Sequence, residues 1–99
     1  MKKILLACNA GLSTSMLVQK MKDSAEERKI DVEILAVSVN SMNDYLDYDV
    51  LLLGPQVRFL KDNIAEKVNM PVIVIDTMDY GMLNGTKVLD NALAEMKGE

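Results

Sequence analysis

Four short apolar segments alternate with amphipathic segments along this 99-residue chain, and that alternation is the strongest constraint on its fold. The apolar segments are residues 3–8 (KILLAC), 32–39 (VEILAVSV), 49–53 (DVLLL) and 70–76 (MPVIVID). Each is short, rich in aliphatic residues and followed by polar or turn-forming residues, which predicts a β-strand. Because the third segment is apolar at nearly every position, we expect both faces of the sheet to be covered.

The segments between the strands have helical periodicity at residues 13–29, 57–68 and 86–96. In the first of these, Leu17, Met21 and Ala25 recur every four residues and charged residues occupy the other faces. We predict a polar connection with one short helical turn at residues 40–48, and a loop at 77–85. Alternating strands and helices predict right-handed βαβ units. The chain should therefore form a single α/β domain over residues 1–99, with a flavodoxin-like, four-stranded parallel sheet in the order 2-1-3-4 and helices on both faces.

Composition excludes several classes of function. The chain has 15 acidic and 11 basic residues and a net charge of -4, which argues against a nucleic-acid or anionic-lipid surface. It contains no histidine, so a histidine-based triad or zinc site is excluded, and we expect neither a metal nor another cofactor. A single cysteine cannot form an intrachain disulfide. Because no apolar run reaches the roughly 18–20 residues needed to span a bilayer, we expect a cytoplasmic protein.

The candidate site is the segment ACNAGLSTSM, where the first strand passes into the first helix. Cys8 ends the strand, and the predicted phosphate-binding residues follow it: Asn9, Ala10, Gly11, Leu12, Ser13, Thr14 and Ser15. In a doubly wound sheet, ligands bind beyond the carboxyl ends of the strands, where the strand order reverses. Loop amides and a helix amino terminus favour anions there, including a phosphoryl group and a nucleophilic thiolate. We expect one hydroxyl to cap the helix and the others to contact phosphoryl oxygens.

A purely structural interpretation is the alternative for each residue. Cysteine is often a small buried hydrophobic residue, and hydroxyls before a helix are often caps. The coincidence of thiol, glycine and hydroxyls at the first strand-to-helix turn favours a functional site. Gln56 and Tyr80 are candidate loop or partner contacts, whereas Asp76 is expected to cap a helix and Asp79 to be a solvated turn residue. Three methionines are expected near the loop and suited to partner binding: Met16, Met78 and Met82.

Three stretches of the sequence resemble one known family over nearly the whole chain. They are ACNAGLSTSMLVQKM, LLLGPQV and VIVIDTMDYGMLNG, and they are similar to the enzyme IIB component of the lactose/cellobiose/chitobiose class of the bacterial sugar phosphotransferase system. The resemblance implies that a phosphohistidine on a IIA protein donates a phosphoryl group to Cys8. The phosphocysteine then passes the group to a sugar held by the membrane-embedded IIC transporter. The partner thus supplies the histidine that this chain lacks.

A second resemblance leaves an alternative function open. Low-molecular-weight tyrosine phosphatases have a similar scaffold, with a cysteine followed after five residues by an arginine. In this chain Thr14 occupies the arginine position, so the guanidinium that would clamp phosphate is absent there. The alternatives to a phosphocarrier are a phosphatase or arsenate reductase on this scaffold, and a regulator that binds an anion or partner without catalysis.

Overall fold

The computed structural model describes residues 2–8, 12–45 and 47–97 of the chain. Its strands are β1 (Lys2–Cys8), β2 (Val32–Ser38), β3 (Val50–Leu53) and β4 (Val72–Val74). Its α-helices are α1 (Leu12–Glu27), α2 (Lys61–Ala65), α3 (Thr77–Gly81) and α4 (Gly85–Lys97). Two 3-10 helices, Val39–Tyr45 and Pro55–Leu60, complete the order; the first contains the short helical turn predicted for residues 40–48.

The four strands form one parallel sheet in the order β2-β1-β3-β4, as predicted. β1 is central and pairs with β2 along its full length, from Lys2 with Val32 to Cys8 with Ser38. On its other side β1 pairs with β3, from Ile4 with Val50 to Ala7 with Leu53. The strand order reverses between β1 and β3, so the carboxyl ends of these two strands define the expected ligand position.

Alternation along β1 divides the core into two apolar clusters. Ile4 and Leu6 face a cluster formed with α1 and α4, whereas Leu5 and Ala7 face a cluster formed with Val57 and other residues of the opposite side. Burying each large aliphatic side chain contributes about 1.5–3 kcal/mol, so both faces stabilise the sheet. The helical stripe predicted for α1 is confirmed, since Leu17, Met21 and Ala25 are all buried.

α1 ends two residues before the predicted position, in a Schellman motif. The Ile30 amide donates to Ala25 O at 2.8 Å and the Lys29 amide donates to Glu26 O at 3.2 Å. Lys29 has a φ of 58°, the left-handed conformation that this motif requires and that glycine usually supplies. Because this position holds neither glycine nor asparagine, no residue type in the sequence marks the end of the helix.

The helix predicted at residues 57–68 is confirmed over residues 57–65 and wrong at its carboxyl end, and only its second half is α-helical. The chain forms the 3-10 helix Pro55–Leu60 followed by the single turn α2, and Val57 has non-helical angles of -117° and 19°. Proline fixes its own φ and has no amide hydrogen to donate, so Pro55 suits the first turn of this helix. The predicted apolar stripe is nevertheless confirmed, since Val57 and Ile64 are buried while Leu60 and Val68 pack partly buried against the second cluster.

The loop predicted at residues 77–85 is also wrong, because it contains the helix α3 and the start of α4. The Asp76 carboxylate accepts hydrogen bonds from the Met78 amide at 2.8 Å and the Asp79 amide at 3.3 Å. Asp76 is therefore the N-cap that was predicted, and it begins a helix too short to show periodicity in the sequence. β4 is shorter than the predicted residues 70–76, although the Ile75 amide still donates to Leu53 O at 2.9 Å.

A close approach between α1 and α4 fixes the amino end of α4. A Cβ atom added to Gly85 would lie 2.5 Å from the backbone carbon of Lys20 and 2.6 Å from the Met21 nitrogen. Only glycine fits at this crossing without moving backbone atoms. Val88, Leu89 and Ala92 of α4 are buried as predicted and Leu93 is partly buried, whereas the Met96 side chain lies outside the described residues. Among the described helices, none is long and apolar enough to cross a membrane.

Tyr48 links the strands near the amino-terminal edge of the sheet. Its hydroxyl donates to Glu33 Oε2 at 2.6 Å, and Lys3 Nζ lies 5.4 Å from its ring centroid. The hydrogen bond to Glu33, together with burial and the negative charges of Glu33 and Asp47, raises the pKa of Tyr48 to about 12. The folded state therefore favours the neutral phenol more strongly than the unfolded state does.

Replacing Tyr48→Phe should lower the free energy of unfolding by about 1 kcal/mol at neutral pH, because a hydrogen bond to a carboxylate is lost. The contribution of Tyr48 is fully present below its ordinary pKa near 10 and disappears as the pH rises through about 12. Urea unfolding of both proteins across this range should show the difference closing. A difference that stays constant from pH 8 to 12 would contradict this account of Tyr48.

Candidate active site at the end of strand β1

Cys8 is the last residue of β1 and lies at the predicted carboxyl edge of the sheet. Alternation places its side chain on the same face as Ile4 and Leu6, the face covered by α1. The residue is buried, with 3% of its surface exposed, yet within the described residues neither apolar cluster includes it. Its polar surroundings come instead from the helix that follows.

Thr14 provides that polar contact from the first turn of α1. Its Oγ1 lies 2.6 Å from Cys8 Sγ, and either atom can be the donor. The sulfur therefore faces the amino-terminal turn of a 16-residue helix rather than the aliphatic core. At this end of a helix, unpaired amides and the macrodipole stabilise negative charge, whether on a thiolate or on a phosphoryl group.

Tyr80 extends the contact into a chain of three buried polar groups. Its Oη lies 2.8 Å from Thr14 Oγ1, although the two residues are 66 positions apart. Tyr80 comes from α3, and its ring packs in the cluster between the sheet, α1 and α4. Tyr80 is a predicted loop or partner contact; among the described residues, the partner of its hydroxyl is Thr14.

The structure describes the other predicted phosphate-binding residues only in part. Asn9, Ala10 and Gly11 lie outside the described residues. Leu12 and Ser13 begin α1, which starts one residue earlier than predicted, and Ser15 is exposed on the helix. Thr14 is buried inside the first helical turn, bonded to both Cys8 and Tyr80. The roles predicted for this set in binding phosphate remain predictions.

Gly54 and Gln56 approach Cys8 from the end of β3. The Gly54 amide donates to Ala7 O at 3.0 Å, which continues the ladder between β1 and β3. A Cβ atom at Gly54 would lie 2.9 Å from Cys8 Cβ and 3.1 Å from Gln56 Oε1. Glycine at this position therefore allows β3 to pass directly beside the cysteine, and the exposed Gln56 side chain lies within reach of the same place.

An open cleft of about 420 Å³ lies between the 3-10 helix Pro55–Leu60 and α3. Its lining includes Gln56, Arg58 and Tyr80, the residue whose hydroxyl contacts Thr14. Arg58 is not among the predicted site residues, because the phosphatase pattern places its arginine six residues after the cysteine. The available signal was its position two residues after Gln56, on the segment that follows β3.

Asp79 is not the solvated turn residue that was predicted. Only 6% of its surface is exposed, and its Oδ2 lies 3.6 Å from Lys87 Nζ on α4. The prediction failed because residues 77–81 are helical, and the helix carries Asp79 into the junction between α3 and α4. Among the described residues, Asp79 Oδ2 has no hydrogen-bond partner, and Lys87 Nζ is its ion-pair partner.

Four large apolar side chains are well exposed in the described part of the chain: Met16, Phe59, Met78 and Met82. Met78 and Met82 flank Tyr80 in sequence, and Met16 follows Thr14 by two residues in α1. The three methionines were predicted to suit partner binding, and their exposure is consistent with that hypothesis. Phe59, beside Arg58 in the 3-10 helix, was not singled out from the sequence.

Comparison with known proteins shows the family. Residues 3–91 match the family model described as "PTS system, Lactose/Cellobiose specific IIB subunit". The chain is 46% identical to the oligo-beta-mannoside-specific EIIB component of Bacillus subtilis (strain 168), with 97% of each chain covered. It is 47% identical to the galactose-specific EIIB component of Lactococcus lactis subsp. cremoris (strain MG1363), with 89% of this chain and 90% of the relative covered.

A solved structure agrees with this assignment. The cellobiose-specific phosphotransferase IIB component of Borrelia burgdorferi superposes with a TM-score of 0.83 at 40% identity, covering 98% of this chain and 93% of the other. The chain thus belongs to the lactose/cellobiose-specific IIB family of the phosphotransferase system. EIIB components act as phosphotransferases in sugar transport, in partnership with IIA and IIC components. The resemblance found in the sequence is confirmed.

Replacing Gly54→Ala should displace Cys8, because the new Cβ would overlap Cys8 Cβ. We expect a loss of about 1–3 kcal/mol in unfolding free energy. The rate of alkylation of Cys8 by iodoacetamide should fall about 10-fold, because the shifted sulfur loses the contact with Thr14.

Gly81→Ala is the matched control for stability, since a Cβ there meets nothing within 4 Å. Equal changes in the unfolding free energy for the two substitutions would contradict the predicted overlap between the Cβ that Gly54→Ala adds and Cys8 Cβ.

Proposed function

We propose that Cys8 is the phosphoryl carrier of this IIB component. It accepts the group from a phosphohistidine of a IIA protein and passes it to a sugar bound by the membrane IIC transporter. The observation that supports this most directly is the 2.6 Å contact between Cys8 Sγ and Thr14 Oγ1, which turns the sulfur toward the amino terminus of α1. A nucleophile at that position is close to groups that stabilise the charge it acquires with the phosphoryl group.

The chemistry consists of two balanced exchanges at one sulfur. In the first, an S–P bond forms as the N–P bond of the donor histidine breaks, and the bonding pair stays with the imidazole, which takes up the thiol proton. In the second, an O–P bond to a sugar hydroxyl forms as the S–P bond breaks, and the sulfur recovers a proton from that hydroxyl. This chain contains no histidine, so the donor imidazole belongs to the partner.

The low exposure of Cys8 suits a carrier whose phosphoryl group must not be hydrolysed between the two exchanges. With 3% of its surface exposed, the residue has little contact with bulk water. Successive partners must meet the same edge of the sheet, and the exposed Met78 and Met82 offer adaptable apolar contacts near the cleft beside Tyr80.

No observation favours the phosphatase or arsenate reductase alternative. Thr14, which replaces the arginine of the phosphatase pattern, is committed to contacts with Cys8 and Tyr80. The relatives reported above carry the names of three different sugars while sharing 40–47% identity with this chain. We propose that the IIC transporter, rather than the residues around Cys8, selects the sugar.

Replacing Cys8→Ser should reduce sugar phosphorylation to background, because a hydroxyl is a far weaker nucleophile than a thiolate at neutral pH. The assay combines a phosphorylated IIA protein, the IIB variant and membranes containing IIC, and follows sugar phosphate. Intact-mass analysis of the wild type after incubation with phosphorylated IIA should show one added phosphoryl group, and peptide mapping should place it on Cys8.

The control is the same incubation with unphosphorylated IIA, together with a thermal unfolding curve showing that the Cys8→Ser variant is folded. A phosphoryl group mapped to another residue, or full activity of the variant, contradicts the proposal.

A further inference from the structure

The chain of hydroxyl groups behind Cys8 is built from two separate elements. Thr14 lies in the first turn of α1 and Tyr80 lies in α3, and both side chains are more than nine-tenths buried. Cys8 Sγ and Thr14 Oγ1 are 2.6 Å apart, and Thr14 Oγ1 and Tyr80 Oη are 2.8 Å apart. The transfer chemistry proposed above assigns a role to the sulfur but leaves the role of Tyr80 open.

The number of protons that each hydroxyl can donate fixes the direction of the hydrogen bonds that link Tyr80, Thr14 and Cys8. A threonine hydroxyl and a tyrosine hydroxyl each have one proton to donate. A thiolate and the oxygens of an ionised phosphoryl group only accept hydrogen bonds. When Cys8 carries either negative charge, Thr14 must donate its single proton toward that charge. The Thr14 oxygen is then an acceptor for Tyr80, and the Tyr80 hydroxyl must donate to it.

We propose that Tyr80 is a positioning residue that acts on Cys8 through Thr14. By donating to Thr14 Oγ1, it keeps the Thr14 proton directed at the sulfur before transfer and at the phosphoryl group after it. Without the Tyr80 hydroxyl, the Thr14 hydroxyl can rotate away from Cys8 or bond to other partners. The negative charge on the sulfur or the phosphoryl group then loses the preoriented Thr14 donor. This inference rests on the proposed carrier role of Cys8 and deepens it.

The contacts that fix α3 in place support this role, because a positioning residue must itself have a fixed position. Asp76 caps the amino end of α3 through the Met78 and Asp79 amides. The Asn84 amide donates to Asp79 O at 2.9 Å, and the buried Asp79 carboxylate pairs with Lys87 of α4. The tyrosine is thus fixed on both sides, toward β4 and toward α4. An ordinary core tyrosine would need only its ring contacts and any available acceptor.

A double-mutant cycle separates this role from simple packing. The variants are Tyr80→Phe, Thr14→Val and the two combined, each checked by thermal unfolding. The first measurement is the rate of Cys8 alkylation by iodoacetamide without any partner. The second is the rate of phosphoryl transfer from phosphorylated IIA, with kcat and KM determined separately. Loss of a hydrogen bond to a charged group predicts a decrease in kcat of about 10- to 100-fold for Thr14→Val.

Tyr80→Phe should slow both reactions about 10-fold in the wild-type background, at nearly unchanged KM, and should have no further effect when Thr14 is already valine. Thr14→Ser, which keeps the hydroxyl, should restore most of the rate lost in Thr14→Val. Tyr45→Phe is the matched control, since Tyr45 is a half-buried tyrosine that packs beside Tyr48 in the second apolar cluster, on the face of the sheet opposite to Tyr80; it should leave both rates unchanged.

The outcomes separate this proposal from the carrier role. Equal effects of Tyr80→Phe in the presence and absence of Thr14, or no effect on either rate, overturn the positioning role. If alkylation follows the predicted cycle while wild-type Cys8 never takes up a phosphoryl group, the carrier role fails and the positioning role stands. If Thr14→Val does not fold, Tyr80→Phe combined with Thr14→Ser decides: retention of the 10-fold loss supports the proposal, and wild-type rates overturn it.

Discussion

The contact between Cys8 and Thr14 joins the end of the central strand to the start of the longest helix, and the arrangement of the site depends on it. β1 is buried on both faces, so the position of its last residue is fixed by the sheet. α1 is fixed by its apolar stripe on one of those faces. Two rigid elements therefore bring a sulfur and a hydroxyl together, and the carrier role proposed for Cys8 requires neither group to become ordered.

The surrounding structure brings other segments to the same point. Gly54 lets β3 pass beside Cys8 without overlap, and Gly85 lets α4 cross α1 at a distance that no other residue permits. The crossing of α1 and α4 sets the position of α3, whose residues connect β4 to α4. Tyr80 lies in α3, directly before α4, so its 2.8 Å contact with Thr14 of α1 depends on how closely α4 packs on α1. The geometry of a few polar atoms thus depends on backbone packing some distance away.

Sequence reasoning recovered the sheet order, the two-sided core and the position of Cys8, because each follows from strong periodicity or from the order of elements. It located the end of α1 poorly, since Lys29 adopts the left-handed conformation without being glycine. It assigned residues 77–85 to a loop because a single helical turn has no periodicity, and Asp79 was misplaced for the same reason. The Thr14–Tyr80 contact spans 66 positions and no local pattern encodes it.

The two faces of the sheet differ in what they contribute to the site. Cys8, Thr14 and Tyr80 all belong to the side that α1, α3 and α4 cover, whereas the side covered by the 3-10 helices and α2 contributes aliphatic packing and the segment that carries Gln56. Apolar residues of similar volume can replace one another in such packing with little cost. Repacking of the apolar residues beneath α2 should therefore leave the contact between Cys8 and Thr14 in place, whereas repacking beneath α1 acts on the helices that carry Thr14 and Tyr80.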